Sequence, residues 1–152
     1  MKVSIRNLIF GLFIFLLMVD QIVKQLVTSY ILPGSSLPVV GEFIHLTPVK
    51  NQGLLMGLFS FPSYLTIFLT VFVIILFLVV LLLNLRKRSN LGMVFIISGA
   101  AGNLLDRMLR GGVIDFIDIK FWPIFNLADI FITAGIVLLC LSLIFPRKKC
   151  TE

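Results

Sequence analysis

The stretch LTIFLTVFVIILFLVVLLL, residues 65–83, runs for 19 positions without a charged side chain. A helix needs about 20 apolar residues to cross the roughly 30 Å hydrocarbon core of a bilayer. Arg86, Lys87 and Arg88 follow it closely. Two other basic clusters flank apolar runs in the same way: Lys2 and Arg6 open the first run, and Arg147, Lys148 and Lys149 close the last. Basic residues beside a span mark its cytoplasmic side. Eight of the thirteen Lys and Arg residues then lie inside, with Glu152 as the sole acid there. Both termini inside require an even number of spans, and four fit, at about 5–27, 63–85, 91–108 and 126–145.

The expected fold is an all-α membrane protein with four transmembrane helices and both termini cytoplasmic. A chain that is 59% hydrophobic and 13% charged is too apolar for an ordinary soluble domain, and its 152 residues suit one membrane-embedded domain. The net charge of +6 sits beside apolar runs rather than along a polar face, which argues against nucleic acid as a partner. The N-terminal run imitates a cleavable signal peptide, but Asp20, Gln21 and Lys24 follow it where small residues would mark cleavage, so a retained helix is expected. Two outer segments remain, about 28–62 and 108–125. In the first, the β-branched runs at 37–40 and 43–49, with turn signals at Pro33-Gly34 and Gly41, predict a small extracytoplasmic β element. Cys140 and Cys150 fall toward the inside, where thiols stay reduced.

At 1.5 Å per helical residue, Asp20 stands roughly 21 Å above Arg6, Asn103 roughly 22 Å above Arg88, and Asp106 and Asp129 roughly 27 Å above Arg88 and Arg147. Three helices thus deliver polar groups to one depth in the outer part of the hydrocarbon core. One such acid is explained by snorkelling to the interface. A layer built from three helices implies a protein interior or a wet cavity, because a charge at that depth costs a few kcal/mol. Asp20 and Lys24, four apart, share a helix face and can neutralise each other; Asn126 and Asp129 share one in the same way, as do Asn103 and Asp106 or Arg107. Position alone does not choose among Asp106, Asp115, Asp118 and Asp129. His45 has no cysteine near it in sequence, and both cysteines fall toward the inside, so neither a His-dependent triad nor a His/Cys zinc site is expected.

Five motifs then occur in order: DQIVK at 20–24, NQG at 51–53, SGAAGNLLDR at 98–107, VIDF at 113–116 and PIFNLAD at 123–129. Over nearly its whole length the chain resembles the bacterial lipoprotein signal peptidases, or signal peptidase II, a family of membrane aspartic peptidases. The resemblance implies that Asp115 and Asp129 are the catalytic pair. By the same resemblance Asn51, Gly53, Asn103, Asp106, Arg107 and Asn126 shape the pocket, and Asp20 and Lys24 organise the first helix beside it. Three departures stand out: Leu55 where the family has alanine, Ser98 where it has glycine, and a short separation between Asp115 and Asp129.

The implied activity is cleavage before the lipid-modified cysteine of a prolipoprotein, releasing its signal peptide at the outer face of the bacterial cytoplasmic (inner) membrane. Besides that substrate, membrane lipid is the expected partner. No metal or other cofactor is required, and the sequence carries no signal of oligomeric state. Glycine and proline in residues 28–62 suit a segment that closes over substrate. The alternatives are a small proton-coupled transporter or channel, since membrane acids also mark proton relays, and a structural or lipid-binding membrane protein.

Overall fold

The structure, a computed structural model, describes residues 4–53, 62–83 and 90–145. Most of the basic clusters that flank the apolar runs lie outside these residues, as do Leu55 and Cys150. The elements follow in the order α1 (Ile5–Tyr30), β1 (Leu37–Val40), β2 (Ile44–Asn51), α2 (Ser63–Leu83), α3 (Asn90–Arg110), β3 (Val113–Asp118) and α4 (Leu127–Ile144). Among the described residues, α1, α2 and α4 are long and apolar enough to cross a membrane. Their outward faces are lined with exposed side chains such as Phe10 and Phe15 on α1, Phe68 and Phe72 on α2, and Val137 and Leu143 on α4. An exposed apolar surface of this extent suits lipid and not water. The chain is a multi-pass membrane protein.

The helix α3 differs because it packs against α1, α2 and α4 at once. More than half of its residues are buried. A helix wrapped by protein needs close contact more than apolar bulk, and α3 is accordingly rich in small residues. A β-carbon on Gly99 would stand 2.3 Å from the backbone oxygen of Ala128, so this glycine sets how near α4 can lie. Gly92 and Gly135 meet in the same way. Ser98, where the resemblance expects glycine, is fully buried and donates to the Val94 carbonyl of its own helix at 2.7 Å. That back-bond satisfies the hydroxyl without a partner from another helix.

The β element extends beyond the first outer segment. β1 and β2 come from that segment, as expected, but β3 comes from the second, and the three form an antiparallel sheet in the order β1-β2-β3. The sequence reading gave residues 108–125 no strand. Gly111, at φ 68°, ends α3, with its N–H donated to the Arg107 carbonyl, and turns the chain directly into β3. Val27 and Ile31 at the end of α1 pack with Phe116 of β3 and so bind the sheet to the helices. The register sets Val49 opposite Asp115 and Asn51 opposite Val113.

The α3–α4 seam gives a stability prediction. Gly99→Ala forces a methyl group against backbone and should cost about 1–3 kcal/mol, the usual range for overpacking. Gly11→Ala, where nothing lies within 4 Å, should be neutral. Thermal unfolding of both variants in one detergent checks the contrast; equal melting temperatures would contradict it.

Candidate active site

The chain after β3 re-enters the helical layer through Asn126, the N-cap of α4. Its side chain accepts from the Asp129 N–H at 3.0 Å, while the Asp129 carboxylate accepts from the Asn126 N–H at 3.2 Å. This reciprocal capping box satisfies two amides that a helix start leaves open. It also holds Asp129 in one rotamer at the positive end of the helix dipole. The same Asn126 donates its amide to Asp115 at 2.6 Å. One fully buried asparagine therefore touches both carboxylates singled out in the sequence.

Asp115 reaches that point because side chains alternate along a strand. It shares a face with Val113 and lies diagonally across from Asn51, whose amide donates to it at 2.8 Å. Asp118, three residues on, falls on the other face. There it accepts from Thr47 and from the backbone N–H and ammonium of Lys120. The two acids of β3 thus part company: the Lys120 contacts hold Asp118 below the ordinary carboxylate range, whereas burial pushes Asp115 up to about 6. The amides of Asn51 and Asn126 oppose that rise, and the charge of Asp129 adds to it.

Asp115 and Asp129 both line a cavity of about 430 Å³, together with Asn51, Gly53, Asn103 and Arg107. Its lower walls are apolar, from Leu69 and Val73 of α2 and Ile132 and Ile136 of α4. Asn51 accepts from the Gly53 N–H at 2.8 Å, and the Gly53 carbonyl accepts from Arg107 at 3.2 Å. Gly53 is not among the described glycines with positive φ, which are Gly34, Gly41 and Gly111. Its part here is played by its backbone.

Behind the cavity lies an ion cluster. The fully buried Lys24 ammonium sits 2.9 Å from Asp20 and 2.7 Å from Asp106, both also fully buried. Asp20 in turn accepts from the Ala128 N–H at 3.0 Å, which ties α1 to the first turn of α4. This carboxylate fits only because residue 102 is glycine; a β-carbon there would meet it at 2.5 Å. Two members escaped the sequence reading. Arg110 pairs with Asp106, and Gln21 bonds to Asp20, Asp106 and Arg110. The spacing of Asp106 and Arg110, four apart on one helix, was the signal for the first. His45 stays in β2, beside Pro38 and Asp118 in register and away from the cavity. Among the described residues no cluster of His, Cys, Asp or Glu could hold a metal ion.

A fold of lipid-facing helices around a cavity with two carboxylates defines a membrane enzyme, and comparison with known proteins agrees. A solved bacterial membrane enzyme, determined by the in meso method at 2.3 Å resolution, superposes with a TM-score of 0.86 at 27% identity, covering 96% of this chain and 94% of its own. The family model described as signal peptidase (SPase) II matches residues 12–145. The lipoprotein signal peptidase of Moorella thermoacetica is 39% identical over 135 residues, covering 88% of this chain and 90% of its own. That of Caldanaerobacter subterraneus is 40% identical over 134 residues, covering 86% and 92%. The chain belongs to the signal peptidase II family and is a peptidase.

The environment of Asp115 predicts how stability depends on pH. Between the ordinary value of 3.8 and about 6 the folded chain holds a proton that the unfolded chain releases. Stability from this group is therefore complete below the ordinary value and is lost as pH rises through the folded one, by up to about 3 kcal/mol. Asp115→Asn should flatten that part of the profile. Parallel melting curves of the two proteins from pH 4 to 8 would refute this.

Proposed function

We propose that the chain removes the signal peptide from diacylglyceryl-modified prolipoproteins by hydrolysing the peptide bond before the lipidated cysteine, with Asp115 and Asp129 as the catalytic pair. The observation that carries this reading is the single asparagine that bonds to both carboxylates at the head of one cavity, in a chain of the signal peptidase II family. Two carboxylates so placed share a proton, because both cannot readily ionise. The ionised partner takes a proton from a water molecule, whose oxygen attacks the scissile carbonyl carbon. The protonated partner polarises the carbonyl oxygen and then supplies the proton with which the amine departs.

The surroundings support an extended apolar substrate. Arg107 lines the cavity beside both carboxylates and donates to the Gly53 carbonyl there, which puts a fixed cation within the pocket a substrate backbone would enter. The apolar walls formed by α2 and α4 suit a signal-peptide helix. In this reading the whole chain is one domain, α3 is the third of four spans, both termini are cytoplasmic, and the site opens toward the outer face of the bacterial cytoplasmic membrane. A lipidated cysteine would lie at that depth. The transporter reading has no support, since the family is one of peptidases and the buried ionic side chains gather around one site.

The test is incubation of the detergent-purified protein with a diacylglyceryl-modified prolipoprotein, following release of the signal peptide. Asp115→Asn and Asp129→Asn should remain folded and lose activity by at least about 1,000-fold, of the order expected when an acid–base group is removed. Asp118→Asn, on the other face of β3, should stay near the parental rate. Near-normal turnover by either of the first two would refute the pair.

A further inference from the structure

The fully buried Lys24 does not line the cavity, yet it is bonded to a residue that does. Its three ammonium hydrogens have three acceptors: Asp20 at 2.9 Å, Asp106 at 2.7 Å and the side-chain oxygen of Asn103 at 3.1 Å. A lysine ammonium can only donate. The Asn103 oxygen accepts a second bond, from the Asn126 amide at 3.2 Å, and the Asn103 amide nitrogen is left to donate to Asp129 at 2.9 Å. Turning the Asn103 amide over would set its NH2 against the ammonium and the Asn126 NH2, and its oxygen against the Asp129 carboxylate. Each of those contacts is repulsive. The polarity of the chain from Lys24 through Asn103 to Asp129 is thus set at its buried end.

Resting on the catalytic pair proposed above, we propose that Lys24 is a positioning residue for the reaction: it fixes the Asn103 amide so that an N–H always faces Asp129. The charged groups around Asp129 are Asp20 and Lys24 on α1, Asp106 and Arg107 on α3, and Asp115 on β3. The described residues of α2 carry none. Asp20, Asp106, Lys24 and Arg110 together balance two negative against two positive charges. Lys24 therefore has two separable effects, charge balance in the cluster and direction of the amide, and an experiment must part them.

Lys24→Met alone leaves the cluster with an unbalanced carboxylate, so the informative protein is Asp20→Asn/Lys24→Met, in which Asp106 and Arg110 still balance. The asparagine oxygen can still accept from Ala128. With the ammonium gone, the Asn103 amide keeps only Asn126 and Asp129 to orient it, and the catalytic pair loses a firmly held donor and a nearby cation. Prolipoprotein cleavage should then show kcat lowered about 100-fold, as for a misplaced catalytic group, with KM nearly unchanged because Lys24 does not line the cavity. The acid limb of the pH–rate profile should move up, since the lost donor and ammonium both favour a carboxylate over its acid and outweigh the lost Asp20 charge, which opposes it. A folded double variant with parental kcat and pH profile would overturn the proposal and leave Lys24 a charge-balancing residue only.

Asn103→Asp decides the question if that variant does not fold. It keeps an acceptor for Lys24 but adds a carboxylate to the cluster and offers an ionised oxygen to Asp129 in place of the N–H. It should show the same upward displacement of the acid limb, and an unchanged limb would overturn the proposal. Asp115→Asn and Asp129→Asn, run in the same assay, separate the two ideas. If either is active, the catalytic pair itself is wrong; if both are inactive while the double variant is parental, only the role of Lys24 falls.

Discussion

A lysine ammonium closed off from solvent between two carboxylates is the constraint around which this protein is arranged. Burying ions is expensive, and the expense is offset only when every hydrogen and lone pair is matched. Lys24 meets that condition by drawing on α1 for Asp20 and on α3 for Asp106 and Asn103. Removing one partner would strand the others, so α1 and α3 are held in one relative position. The glycine at position 102 belongs to the same arrangement, because the Asp20 carboxylate occupies the space its side chain would fill. Asp20 also reaches the first turn of α4, which brings a third helix to the same centre.

From that centre the order passes outward through amides. Asn103 and Asn126 each accept on one side and donate on the other, and each donates to a carboxylate that opens onto the cavity. A hydrogen-bond network in a low-dielectric interior stays rigid only if its directions agree. Here the ammonium at one end and the α4 backbone N–H at the other both demand oxygen, which leaves the NH2 groups for Asp115 and Asp129. The lipid-facing helices contribute packing and length. The chemistry rests on a few polar atoms inside them.

Much of this was legible in the sequence, where the relevant contacts are local. Asp20 and Lys24 four apart, and Asn126 and Asp129 three apart at the start of an apolar run, show from sequence alone that the members of each pair lie together. The turn signals around Gly34 and Gly41 marked the first two strands. What remained hidden was non-local. β3 is held by pairing with β2, far away in the chain, and although its Val, Ile and Phe residues favour a strand, Asp115 and Asp118 fall three apart and break the alternation that would mark one. Without that strand, Asp115 and Asp118 look equivalent; with it, alternation sends them to opposite faces. The contact between Lys24 and Asn103 spans 79 positions and could not be read from spacing. Likewise α3, short of apolar bulk, shows its central place only when its neighbours are seen.

The capping box of α4 carries a mechanical implication. Asp129 is at once a proposed proton carrier and the acceptor for the Asn126 N–H, so its state of charge sets the strength of the bond that fastens the start of the helix. Each proton that arrives at Asp129 loosens that fastening, and each that leaves tightens it. Because Asn126 is also bonded to Asp115, a change at one acid is felt by the other through a shared rigid residue as well as through space.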